Sequence, residues 1–175
     1  MSIERVGLIK FAGKDVTIVG PDIKIGQRAP EFTVHMQDWS TFKGLQNTRG
    51  KVRIISSLLS LSTSVCDRET RRFNVEAAGL GEGIAILTIS TDLPFTIKNW
   101  CAAAGVDKVI TLSDHMKGNF GMKYGLLIKE YRFLRRAIFV VDRKRTVVYA
   151  AYMPALGDEP NYQEVLDAAK RALKG

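Results

Sequence analysis

Apolar positions along the chain follow two periods, and the switches between them mark out the elements. Residues 6–11 and 16–19 are short β-rich runs on either side of Ala12-Gly13-Lys14-Asp15, which predicts an N-terminal hairpin over about residues 4–20. Residues 31–36 alternate sides behind Pro30 and read as a strand, residues 39–49 as a turn-rich loop, and residues 52–57 as a buried strand that ends in two serines. Residues 66–78 have helical spacing, with Phe73, Ala77 and Leu80 on one side and charges on the other. The unbroken apolar run 84–89 suits a central parallel strand. Residues 95–104 are helical up to Gly105, which suits a C-terminal cap, and a short strand (109–112) and a short helix (119–124) follow. A second hairpin pairs 137–141 with 146–151, and residues 162–173 close the chain as an amphipathic helix with Val165, Leu166, Ala169 and Leu173 inward.

The order βαβα, then a hairpin and a helix, predicts one α/β domain over residues 1–175 that resembles a thioredoxin-type fold. No repeat, low-complexity segment or linker divides it. Composition adds little: 46% of residues are hydrophobic and 25% charged, an ordinary globular balance. No apolar run reaches the roughly 20 residues needed to span a bilayer, and the first residues lack a signal peptide's basic and apolar regions. No membrane association and a cytoplasmic location are therefore expected.

The net charge of +8 raises nucleic acid as a partner. Lys and Arg are nevertheless spread along the chain, concentrated only at 129–136 and 143–145, the second of which reads as a solvated turn. Charge alone gives non-specific attraction, and no nucleic-acid motif accompanies it, so no nucleic-acid role is expected. A basic surface would equally attract an acidic protein. With two cysteines, two widely separated histidines and no CxxC, no metal site is expected, because zinc takes three or four converging ligands. The two cysteines are either inert buried thiols or a redox pair.

The stretch Ser60-Leu61-Ser62-Thr63-Ser64-Val65-Cys66-Asp67-Arg68-Glu69-Thr70 sits where an apolar strand meets a charged helix. Thr63 and Ser64 are both good N-cap residues, so Cys66 falls in the first helical turn. Unpaired N–H groups and the helix dipole there favour a thiolate, the form that attacks a peroxide oxygen to give a sulfenic acid. Asp67 and Glu69 oppose a further anion, so a reactive Cys66 requires a cation. Arg136, beside the apolar strand 137–141, is the candidate, and Glu69 is suited to orient it. The plainer reading makes Cys66 a small buried hydrophobe. Cys101, 35 residues later and next to Trp100, either packs against Ala102 to Ala104 or resolves the sulfenic acid as a disulfide. A Cα separation above about 7 Å would then demand local unfolding.

At these residues the chain resembles the bacterial thiol peroxidase branch of the peroxiredoxins, atypical two-cysteine enzymes. The resemblance is carried by Thr63-Ser64-Val65-Cys66-Asp67-Arg68-Glu69-Thr70-Arg71-Arg72-Phe73-Asn74, Ile89-Ser90-Thr91-Asp92-Leu93-Pro94-Phe95, Trp100-Cys101 and Arg136-Ala137-Ile138-Phe139-Val140-Val141-Asp142. The N-terminal hairpin and Gly26-Gln27-Arg28-Ala29-Pro30-Glu31-Phe32 add to it. It implies a thioredoxin-like fold of peroxiredoxin type, with a central mixed sheet flanked by helices and an N-terminal β-hairpin. It also implies Cys66 as the peroxidatic and Cys101 as the resolving cysteine, with Thr63 and Arg136 holding the peroxide. Further implications are hydrogen peroxide and alkyl hydroperoxides as substrates, recycling by thioredoxin or a similar dithiol reductant, a homodimer, and no metal or organic cofactor.

The chain departs from the family pattern Pro-x-x-x-Thr-x-x-Cys at position 59, which is Leu, and at Ser62, where Asp is frequent. Proline fixes φ and presents no N–H. Leu59 restores a donor and loosens the loop. The departure keeps open an alternative of another class, a thiol redox sensor that oxidises once and turns over weakly.

Overall fold

The computed structural model describes residues 2–175. Strands β1 (Glu4–Phe11) and β2 (Lys14–Val19) pair as an antiparallel hairpin. Its turn residues Ala12 and Gly13 have φ of 50° and 78°, the positive values that a type I′ turn requires. After the hairpin come β3 (Thr33–His35), β4 (Thr41–Lys43), β5 (Val52–Ser57), α1 (Ser64–Leu80), β6 (Ile84–Ser90), α2 (Pro94–Ala104) and β7 (Ile110–Ser113). Then follow α3 (Asn119–Lys123), β8 (Leu127–Ile128), β9 (Ala137–Val141), β10 (Val147–Tyr152) and α4 (Tyr162–Lys174).

Seven strands form one mixed sheet in the order β10-β9-β5-β6-β7-β3-β4. β5, β6 and β7 are parallel, while β9 runs antiparallel to β5. Both faces are covered, which is why β5, β6 and β9 are buried along their whole length. Side chains alternate between the two cores. Ile54, Ile138 and Val140 pack with Phe73 of α1, Ile97 of α2 and Val165 and Ala169 of α4. Ile55, Ala137, Phe139 and Val141 enter the opposite core with Phe32, Phe120 and Tyr124. Each fully buried Val, Ile or Phe side chain among them contributes roughly 1.5–3 kcal/mol. The arrangement is the thioredoxin-like one of peroxiredoxin type.

Two short strands lie where no strand was expected. β4 falls inside the segment read as a loop, and β8 pairs with β2 to widen the hairpin into a three-stranded sheet. Strands of two or three residues carry no period of their own and exist only because a partner edge is present. The strand expected over 31–36 shortens to β3, because the Glu31 carboxylate instead accepts from the backbone N–H groups of Phe32, Leu45 and Gln46. The basic segment 129–136 is not a surface stripe. Arg135 and Arg136 are buried, and Arg135 is engaged by Asp22 and the carbonyl of Gly125.

Candidate active site

The strand β5 delivers the chain to the start of α1, and its serines now have a purpose. Ser56 Oγ donates to Glu69 Oε1 at 2.5 Å, and Ser57 Oγ donates to the carbonyl of Arg135 at 2.9 Å. The N-cap of α1 is Thr63 in extended conformation, so Cys66 is the third helical residue, within the first turn as predicted. The Thr63 hydroxyl does not cap the helix. It donates to the Ser60 carbonyl at 3.0 Å, which also receives the Thr63 N–H at 3.1 Å. With its proton committed there, the Thr63 oxygen is left to accept from an incoming O–H.

Cys66 is fully buried, and Arg136 at the entrance to β9 faces it. Arg136 Nη2 donates to Cys66 Sγ at 3.0 Å, Nη1 donates to Glu69 Oε2 at 2.5 Å, and Nε donates to the Leu156 carbonyl at 3.3 Å. Glu69 lies one turn after Cys66 on the same side of α1, which is why a single guanidinium reaches both. A planar fork of donors suits this task better than an ammonium. Burial pushes the Glu69 carboxyl up, and its bonds to Ser56 and Arg136 oppose that shift. Burial disfavours the charged Arg136, but the Cys66 sulfur and the Glu69 carboxylate outweigh it and raise its pKa. The second carboxylate of concern, Asp67, points away and is bound by Arg71 Nε at 2.9 Å.

Cys101 occupies the last turns of α2 and is buried in the same core as Cys66, both thiols being free. Its Sγ is 3.4 Å from Thr111 Oγ1, which accepts from Gln37 Nε2 at 2.8 Å. Because Gln37 supplies that proton, the Thr111 hydroxyl is free to donate to the sulfur. Burial pushes the Cys101 thiol up, while Thr111 and Gln37 pull it down. An open cleft of about 730 Å³ reaches Cys101 between Met36, Lys98 and Val106. The two cysteine helices are tied by two hydrogen bonds, the first between the cysteines' own neighbours. Trp100 Nε1 donates to Asp67 Oδ1 at 3.2 Å, and Arg71 Nη1 donates to the Ala104 carbonyl at 3.1 Å.

Cys66, Glu69 and Arg136 are thus brought into direct contact. Thr63 stands at the mouth of the same helix, and Cys101 has its own hydrogen-bonded setting. Sequence reasoning missed Ser56, Gln37 and Thr111. Only the paired serines at the end of an otherwise apolar strand signalled the first. No cluster of three or more His, Cys, Asp or Glu suited to a metal occurs among the described residues. No helix there is long and apolar enough to cross a membrane.

Residues 25–150 match the AhpC/TSA family, and a chain with this fold and a cysteine at this helix start belongs to that family, as a peroxiredoxin enzyme. Within it the chain falls with the thiol peroxidases. It is 48% identical over 166 residues to the thiol peroxidase of Bacillus subtilis, covering 95% of this chain and 98% of the relative. It is 46% identical over 165 residues to that of Halalkalibacterium halodurans, covering 94% and 98%. The crystal structure of a peroxiredoxin-like protein from Aquifex aeolicus superposes with a TM-score of 0.85 at 35% identity, covering 98% of both chains.

Proposed function

We propose that the protein reduces hydrogen peroxide and alkyl hydroperoxides with Cys66, closes a Cys66–Cys101 disulfide, and is recycled by thioredoxin or a similar dithiol. The contact that carries this reading is the Arg136 donor 3.0 Å from Cys66 Sγ at the start of α1. A thiolate there attacks the terminal oxygen of the hydroperoxide. The O–O bond breaks, an S–O bond forms, and the leaving oxygen departs as water or alcohol after taking a proton. Arg136 donates to the developing charge, while the Thr63 oxygen accepts a hydrogen bond from the hydroperoxide O–H.

The Cys101 sulfur then attacks the sulfenic sulfur. An S–S bond forms, the S–O bond breaks, and the hydroxyl leaves as water with the proton Cys101 gives up. A dithiol reduces the bridge by two exchanges, restoring both thiols and leaving with a disulfide of its own. Reduction by a dithiol requires a reducing compartment, so a cytoplasmic location belongs to the same proposal. So does a homodimer, which would bury the half-exposed Trp39 and the exposed Phe95, packed edge-on at 4.9 Å. The experiment is peptide mapping after one equivalent of hydrogen peroxide. A peptide bridging Cys66 and Cys101 is expected. A lasting Cys66 sulfenic or sulfinic acid with Cys101 reduced would reject the disulfide step.

A further inference from the structure

Between the end of β5 and the start of α1, residues 58–63 have no regular structure, yet they set the position of Thr63 and of the first turn carrying Cys66. Leu59, half-buried, packs its side chain against the core that holds Cys66, but among the described residues its N–H makes no hydrogen bond. The loop is gripped from the neighbouring strand instead. Asp92, two residues beyond β6, accepts from Ser60 Oγ at 2.7 Å through Oδ1 and from the Leu61 N–H at 2.8 Å through Oδ2.

Asp92 is itself fixed. Ser90 Oγ donates to its Oδ2 at 2.9 Å, and Ser113 Oγ donates to its carbonyl. Ser60 has one hydroxyl proton, and it is directed at Asp92. In the 2.7 Å contact between Ser60 Oγ and Ser62 Oγ, Ser62 is therefore the donor. A neutral hydroxyl at 62 adds a strand to the clasp, where a carboxylate would bring a second anion beside Asp92. Ser60 in turn offers its carbonyl to both the N–H and the hydroxyl of Thr63.

We propose that Asp92 is a positioning residue for peroxide reduction. Its carboxylate clasps Ser60 and Leu61, and through the Ser60 carbonyl it aims the Thr63 oxygen and the Cys66 turn. The clasp does by hydrogen bonding what a ring at position 59 would do by fixing φ. Of this chain's two departures from the family pattern, Ser62 bonds to the clasp through Ser60 and Leu59 immediately precedes it. This rests on Cys66 being the peroxide-reducing thiol.

The test measures the second-order rate of Cys66 oxidation by hydrogen peroxide in a Cys101→Ser background, which removes α2 chemistry from the readout. Asp92→Ala is expected to slow oxidation on the order of tenfold, since small misplacements of a reacting group carry costs of that size or larger. Leu59→Pro added to Asp92→Ala is expected to restore most of the rate, which a merely structural role for Asp92 would not allow. Ser60→Ala, which cuts one arm of the clasp, covers the case in which Asp92→Ala fails to fold, with a smaller loss and the same rescue. Unslowed oxidation in Asp92→Ala or Ser60→Ala, or a loss that Leu59→Pro leaves untouched in a folded double variant, overturns the clasp. Peroxide reduction that persists in Cys66→Ser would instead overturn the reading beneath it.

Discussion

Replacing Arg136 with Met keeps an unbranched apolar stem and removes the cation that donates to Cys66. At 3.0 Å and an effective dielectric of about 20, opposite unit charges attract by about 5–6 kcal/mol before desolvation is counted. A hydrogen bond to a charged group nets about 1.5–3 kcal/mol after that cost. That range corresponds to roughly a 10- to 150-fold slower oxidation of Cys66, at about 1.4 kcal/mol per factor of ten. Stability falls as well, because a buried carboxylate loses its partner, a change worth roughly 3–5 kcal/mol when the charge remains. Burial already pushes the Glu69 carboxyl up, so protonation would limit that loss. Adding Glu69→Gln separates the two effects, because a permanently neutral side chain leaves no orphaned charge and restores no cation. Stopped-flow fluorescence with hydrogen peroxide, below the variant's melting range, reads the rate. Oxidation of Arg136→Met at the wild-type rate would refute the role assigned to the guanidinium.

Two further outcomes follow from other parts of the molecule. Cys101→Ser is expected to leave the first oxidation intact and to stop thioredoxin-dependent recycling, read as a single burst of NADPH consumption; normal recycling would exclude the internal disulfide. Asp114 accepts from the N–H groups of Phe120 and Gly121 in α3, and burial raises its pKa to about 6. With its folded pKa above the unfolded value near 3.8, its contribution to stability is full below that value and lost as pH rises through about 6, a change of about 3 kcal/mol. Denaturant unfolding between pH 4 and 7 should show a flatter profile in Asp114→Asn, and an unchanged slope would exclude Asp114 as its source.

The parts of the fold legible in the sequence are those with a long or unbroken apolar signal. β9 begins and ends at the residues expected, and α2 stops at Gly105 in the left-handed conformation because a residue without Cβ adopts it freely. β4 and β8 were not legible, since they depend on edges that come from distant parts of the chain. The site divides in the same way. Cys66 was readable from its place after Thr63, and Arg136 from the need for a cation beside two carboxylates. Its contact with Cys66 spans 70 residues and is made only when β9 is laid against β5. The Thr63 hydroxyl was expected to serve the helix and instead serves the loop, because the Ser60 carbonyl is nearer to hand. Asp92 stood in plain view within a matching stretch, yet its partners Ser60 and Leu61 lie 32 and 31 residues away, beyond any local pattern.

The most direct test of the central claim is steady-state consumption of hydrogen peroxide and cumene hydroperoxide with thioredoxin, thioredoxin reductase and NADPH present. Sustained turnover that disappears in Cys66→Ser is the result the account predicts. A single stoichiometric oxidation followed by a stall, with thioredoxin in excess, would contradict it and make the protein a redox sensor.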